Sequence, residues 1–389
     1  MKEPKIRFKG FQGEWETHAL SEYFKKVCDK NTKMECTIVL TNSAEHGIIP
    51  QNDFFDHAIA NNKNIGGYYI VSPDDFVYNP RVSVTAPVGP INRSLLDFQG
   101  VMSPLYLVFK INTINKDYLN IFYKTNKWHT FMKLEGNCGA RFDRLSISDD
   151  QFVKMPLTHP KDHSEQQSIA SYFQHLDSLI QSTTKKIESL KQVKAASLQS
   201  MFPQEGETTP RVRFKGFEGE WEECLLKDKV NNITTGKLDA NAMVPNGKYR
   251  FYTCGKEYFK IDKYAFDDEA LLISGNGENV GYIHYYNGKF NAYQRTYVLT
   301  SFTLNVFYLE HYLKARLSIR INKEKSVANT PYIKMDTISD MNVLYPNDIA
   351  EQRAIASYFT TLDHQINLQT QRLEKLKQIK AACLDNMFV

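Results

Sequence analysis

Apolar residues recur at three- and four-residue spacing in two long stretches of the chain. Ile169, Phe173, Leu176, Ile180, Ile187 and Leu190 mark the first, and Ile355, Phe359, Leu362, Ile366, Leu373 and Leu376 the second. Neither stretch contains an internal Pro or Gly, so the pattern predicts two long helices, over residues 164–203 and 348–389. Ser164 and Asp348 offer N-caps, and Pro203 stops the first helix. At ~1.5 Å per residue, a helix of roughly 38 residues would be ~57 Å long. A helix with so narrow an apolar stripe needs a partner, and antiparallel pairing of the two with each other is the economical arrangement.

Outside these stretches the pattern shortens. Gly67–Val71, Phe76–Tyr78 and Leu105–Phe109 are β-rich runs between turn residues, as are Ala270–Ser274, Gly281–Tyr286 and Tyr297–Leu299. The dipeptide Asn287-Gly288 predicts a hairpin turn over Tyr286–Lys289. Helical pieces are expected over Lys116–Trp128 and Leu304–Ile319. The pattern therefore predicts an α+β fold: globular mixed domains over 1–163 and 204–347, joined by helices over 164–203 and 348–389.

An internal repeat organises these elements. Arg7-Phe-Lys-Gly-Phe-Gln-Gly-Glu-Trp-Glu16 returns as Arg213-Phe-Lys-Gly-Phe-Glu-Gly-Glu-Trp-Glu222, with nine of ten positions identical. The helical segments 165–202 and 351–388 share 21 identities in 38 positions. The centres between these borders do not align by eye. Duplicated borders around divergent centres suggest one task performed twice and another performed in two ways. If the second helix runs back along the first, the chain closes on itself: a pseudo-two-fold, quasi-cyclic molecule with two readers on an antiparallel coiled coil.

Composition narrows the partners. The 389 residues carry 48 Lys+Arg against 44 Asp+Glu, a net +4, short of the concentrated basicity that marks an obvious nucleic-acid-binding domain. Six cysteines form no C-x-x-C pair and no signal-like segment precedes Lys5-Ile-Arg7, so a reduced, cytoplasmic protein is expected, without a disulfide scaffold or zinc ribbon. No apolar run approaches the ~18 residues of a membrane span. Aromatic residues, at 13%, are abundant.

Catalytic patterns are absent from the sequence. Asn79-Pro-Arg-Val82 is not the Asn/Asp-Pro-Pro-aromatic tetrapeptide of an amino-methyltransferase, and no Walker A or Gly-x-Ser-x-Gly motif occurs. Gly275-Asn-Gly277 with Gly281 has the wrong spacing for a dinucleotide loop, and His159 and His163 are interrupted by Pro160. No catalytic residue and no metal site is assigned, and the chain is expected not to be an enzyme. Polar residues suited to DNA cluster instead on loops: Arg81, Asn92 and Arg93 in the first centre, and Asn276, Asn279, Tyr282, Gln294 and Arg295 in the second. Arg, Asn and Gln can bond base edges bidentately, while Tyr suits phosphates. Solvated loop surface would produce the same clusters, and a two-headed protein-binding adaptor on a coiled-coil rod is the alternative reading.

The paired Phe-Lys-Gly-Phe-x-Gly-x-Trp borders, the paired Glu-Gln-x-x-Ile-Ala-x-Tyr-Phe helices and the dissimilar centres together span essentially the whole chain. In this combination the chain resembles the specificity subunits of type I restriction-modification systems. The resemblance implies that each centre is a target-recognition domain reading one half of a bipartite, asymmetric site in double-stranded DNA. It implies that the helices set the spacer and dock two modification (methyltransferase) subunits, with Tyr172, Phe173, Leu190, Tyr358, Phe359 and Leu376 as docking candidates. Restriction/translocase subunits would complete the assembly. No cofactor is expected in this chain; S-adenosylmethionine, ATP and Mg would belong to the partner subunits.

Overall fold

The computed structural model describes residues 3–53, 62–138, 143–324 and 332–389. The chain forms two compact units, one of residues 1–183 with 372–389, the other of residues 184–371. Two 38-residue helices, His163–Ser200 and Ile349–Asn386, each contribute one end to each unit. The second begins at its expected cap, where the Asp348 carboxylate accepts the Ala350 N–H at 2.7 Å. The first is capped by Asp162 rather than by Ser164, whose own N–H donates to Asp162 at 2.8 Å.

The first unit is built on a four-stranded antiparallel sheet with the order 24–26, 107–111, 76–78, 91–93. Alternation along the strands divides the apolar side chains between its faces. Phe76, Tyr78 and Phe109 join a core with Trp15, Tyr118, Phe122 and Phe152. Val77 and Val108 face a smaller cluster with Leu40, Val71 and Met102. The helix expected over Lys116–Trp128 is two, Lys116–Phe122 and His129–Glu135. Thr125 breaks it by turning its hydroxyl back to the Phe122 carbonyl at 2.7 Å, and the turn lets Trp128 enter the core.

The second unit carries a six-stranded sheet with the order 230–235, 296–302, 266–274, 283–292, 249–252, 259–261. Only the 249–252/283–292 pair is parallel. Leu271, Ile273 and Leu299 face the helix Val306–Glu324, which replaces the expected Leu304–Ile319 and is capped by Asn305 at the Tyr308 N–H. Ala270, Leu272, Phe290 and Val298 form a second cluster on the opposite face. The expected hairpin at Asn287-Gly288 is overturned: the strand Ile283–Ala292 runs through it, with Glu269 opposite Asn287 and Asp268 opposite Gly288. The chain reverses instead at residues 275–282. Asn-Gly permits a turn, but eight consecutive cross-strand pairs from Phe266↔Phe290 to Ile273↔Ile283 fix the register and override it.

The repeated borders meet as a duplicated joint. In the first unit Arg7 donates to both oxygens of Glu165 at 2.7 and 2.8 Å and to the Gly13 carbonyl at 2.6 Å; in the second, Arg213 does the same to Glu351 and Gly219 at identical distances. Gln166 and Gln352 each receive the N–H that opens a following helix, from Asn115 and Asn305, at 2.9 Å. Trp15 packs on Tyr118 and Phe388, and Trp221 on Tyr308 and Phe202. Helix pairing repeats too. In the first unit Lys380 bonds Asp177 at 2.5 Å and Tyr172 meets Cys383; in the second Lys194 bonds Asp363 and Tyr358 meets Ser197. The helix ends therefore pair antiparallel within each unit. The chain termini also meet in the first unit, where the Ile6 N–H donates to the Asn386 carbonyl at 3.0 Å.

Candidate nucleic-acid interface

In the second unit, two turns lie side by side at one end of the six-stranded sheet: residues 275–282, between two central strands, and 293–295, which lead into Thr296–Phe302. The Gly275 N–H donates to the Arg295 carbonyl at 2.8 Å, and a Cβ at Gly275 would fall 2.3 Å from that oxygen. Only glycine lets these turns approach so closely. The 275–282 turn is closed by the Gly281 N–H on Ser274 and the Tyr282 N–H on Asn279. Asn276 pairs as a bridge with Tyr332, and Leu238 with Tyr293.

All five second-unit candidates fall on this sheet end. Arg295 is exposed, and its guanidinium has no hydrogen-bond or ion-pair partner among the described residues while its carbonyl anchors the turn. Tyr282 is 39% exposed, its ring held at 4.8 Å by the edge of His284. His284 is kept neutral by burial, which pushes its pKa down, and its Nε2–H donates to the Gly255 carbonyl at 2.9 Å. Gln294 is exposed but oriented, donating to Asp239 at 2.8 Å. Asn276 and Asn279 are half-buried on the adjacent turn. The arrangement presents one free guanidinium, three amides and a phenol on a rigid end: hydrogen-bond donors and acceptors suited to base edges and phosphates.

The first-unit candidates are not brought together. Asn92 is 2% exposed, donates to Asn42 and Ser43 and accepts from Lys124, so it is an interior cross-brace. Arg93 is bound by Asp117 and Asp74 and lies at the other end of its strand pair from Arg81. Both are corrected to structural roles. Both faces of the strand Ile91–Arg93 are covered, so Asn92 is buried opposite Ile91 and bonded there by Asn42, Ser43 and Lys124, while Asp74 and Asp117, distant in sequence, take up the Arg93 charge. Arg81 remains exposed, its N–H held by Asn79 at 3.0 Å, and its backbone bridges Arg144. Arg144 is a residue that sequence reasoning missed: two arginines share this bridge, and neither has a carboxylate partner among the described residues.

The helix candidates divide similarly. Phe173 and Phe359 are fully buried in their units' cores, so they hold the helices and offer no surface. Tyr172, Leu190, Tyr358 and Leu376 are half-buried beside them. Among the described residues no cluster of His, Cys, Asp and Glu could hold a metal ion, and no helix is long and apolar enough to cross a membrane.

Comparison with known proteins gives a consistent result. The type I restriction modification DNA specificity domain family matches residues 218–378. The EcoDI specificity subunit of Escherichia coli is 37% identical over 160 residues, covering 41% of this chain and 35% of that one, so the match spans about a third of the relative's length. Over the whole chain, the fold is similar to the type I restriction-modification S subunit of M. genitalium, with a TM-score of 0.63, 15% identity and coverage of 100% and 99%. A chain from a type I R-M system studied for complex assembly and conformational transition superposes with a TM-score of 0.54 at 15% identity, over 96% of this chain and 97% of that one.

Proposed function

Because residues 218–378 match the type I restriction modification DNA specificity domain family, we propose that this chain is the specificity subunit of such a system. The observation that carries this reading is the convergence of Arg295, Gln294, Tyr282, Asn279 and Asn276 on one sheet end, with the Arg295 guanidinium left unpaired among the described residues. The second unit reads one half of a bipartite site through this end. The first reads a different half from the side of Arg81 and Arg144. Recognition is this chain's contribution; methyl transfer with S-adenosylmethionine, and ATP- and Mg-dependent cleavage, are the work of modification and restriction subunits in the cytoplasm.

The long helices act as the ruler between two short half-sites about one helical turn of DNA apart, centre to centre, leaving a spacer of roughly six base pairs. Co-expression with the modification subunit and mapping of N6-methyladenine tests the reading. Arg295→Ala relaxes or abolishes only the second half-site, at about 1–3 kcal/mol for a base contact. One added helical turn between Thr183 and Lys194 lengthens the spacer and leaves both half-sites intact. Changed base identities on that insertion refute the ruler, and duplex binding insensitive to salt returns the chain to a protein-binding adaptor.

A further inference from the structure

Several arginines among the described residues are taken up within the fold. Arg7, Arg93, Arg211, Arg213 and Arg320 are paired to carboxylates, and Arg316 bonds the carbonyls of Phe202 and Pro203. Arg250 differs. It stands on the strand Tyr249–Tyr252, on the sheet face opposite the helix Val306–Glu324, with its guanidinium 4.4 Å from the ring centres of both Tyr258 and Tyr286. One nitrogen donates to the Tyr252 hydroxyl at 3.2 Å, and no carboxylate pairs with it among the described residues. Directly opposite on the neighbouring strand is Lys260, which among the described residues has no carboxylate partner either and lies 5.6 Å from the Tyr258 ring centre. Like charges facing each other across a strand pair destabilise a sheet unless an anion lies between them. The two tyrosine rings fix the guanidinium in one plane, and so remove the rotamer entropy that docking would otherwise cost.

This pair is continuous with the sheet end already described. Tyr282 touches His284, His284 lies 5.1 Å from Tyr252, and Tyr252 binds Arg250, so an unbroken line of rings joins the turn 275–282 to the cation pair. We infer that Arg250, pre-organised between Tyr258 and Tyr286 and reinforced by Lys260, is a phosphate-positioning residue that grips the DNA backbone flanking the half-site read by the second unit. The inference rests on the proposed DNA-reading role of that unit. Strand chemistry favours the backbone over a base: the cations rise from the face of a regular sheet, where a phosphate can be met, rather than from a protruding element that enters a groove.

The test is a salt titration of duplex binding by the full chain assembled with its modification subunit, using a duplex that carries the mapped site. Arg250→Gln is expected to weaken binding several-fold and to lower the slope of log K against log salt by about one. Tyr258→Leu keeps the charge and loses the clamp; affinity falls while the slope stays. Thermal melting of each variant close to that of the wild type accompanies both results. Unchanged affinity and slope in Arg250→Gln overturn the inference alone. A methylation map in which Arg250→Gln alters one base preference overturns the phosphate assignment in favour of base reading. If the wild-type assembly shows no salt-dependent duplex binding, the recognition role itself fails.

Discussion

Replacing Glu351 with Gln tests the duplicated joint, because the first unit contains a built-in control. The Glu351 side chain is 1% exposed and accepts two bonds from Arg213, itself 17% exposed, and Arg213 also holds the carbonyls of Gly219 and Glu218. Glutamine keeps the shape but presents an N–H to an N–H at one of the two contacts and leaves the guanidinium charge unneutralised. Removing one partner of a well-formed buried pair costs ~3–5 kcal/mol, and the isostere retains one acceptor, so about 2–4 kcal/mol is expected. That corresponds to an acceleration of cooperative opening on the order of 10²-fold. Hydrogen exchange reads both units in one experiment. In Glu351→Gln, amides of the pair 222–225/342–345 and of the six-stranded sheet exchange faster; in Glu165→Gln, those of 16–19/156–159 and the four-stranded sheet do, by a similar factor. A double-mutant cycle with Arg213→Met should give a coupling above ~1 kcal/mol. A smaller coupling, or very unequal effects of the two glutamines, refutes the idea that the repeated borders exist to build this joint.

Two further outcomes follow from the second unit. Gly275→Ala forces the turns apart, since its Cβ would also sit 2.8 Å from the Tyr297 ring; about 1–3 kcal/mol of stability is lost, and methylation mapping shows a degraded second half-site with the first intact. His311 is 2% exposed and burial pushes its pKa down to about 3, with Lys314 and Lys194 adding to the shift and Asp363 opposing it. The folded form therefore binds fewer protons than the unfolded one below pH ~6.5, and stability falls as pH falls. Between pH 7 and pH 5 the wild type loses about 2 kcal/mol more than His311→Leu in urea unfolding, and equal losses contradict the buried neutral imidazole.

Much of this architecture was legible because it depends on local periodicity and exact repetition. The helices were readable from their 3.6-residue stripe, and Phe-Lys-Gly-Phe and Glu-Gln recur because Arg7 and Glu165, or Arg213 and Glu351, are halves of one contact. What failed was non-local. Asn287-Gly288 carries a turn signal that strand pairing suppresses, and Thr125 splits a helix that periodicity runs together. Residue chemistry alone could not separate Arg93, taken up by Asp74 and Asp117, from the unpaired Arg295. Nor could it reveal that Arg144 comes to stand beside Arg81. The abundant aromatics, unexplained by composition, divide between the two joints, the cores and the line of rings from Tyr282 to Tyr258.

The exchange of helix ends sets an order on how the protein assembles during synthesis. Among the described residues, every member of the core around Phe202 and Phe359 lies between Leu190 and Leu362, so that core of the second unit is made before residues 372–389 leave the ribosome. The first unit does not: Met387 and Phe388 lie among Trp15, Tyr118 and Phe173, and Asn386 holds Ile6. The half of the molecule made first is thus the half that closes last, with Met387 and Phe388, which follow the second helix, acting as the plug that completes it.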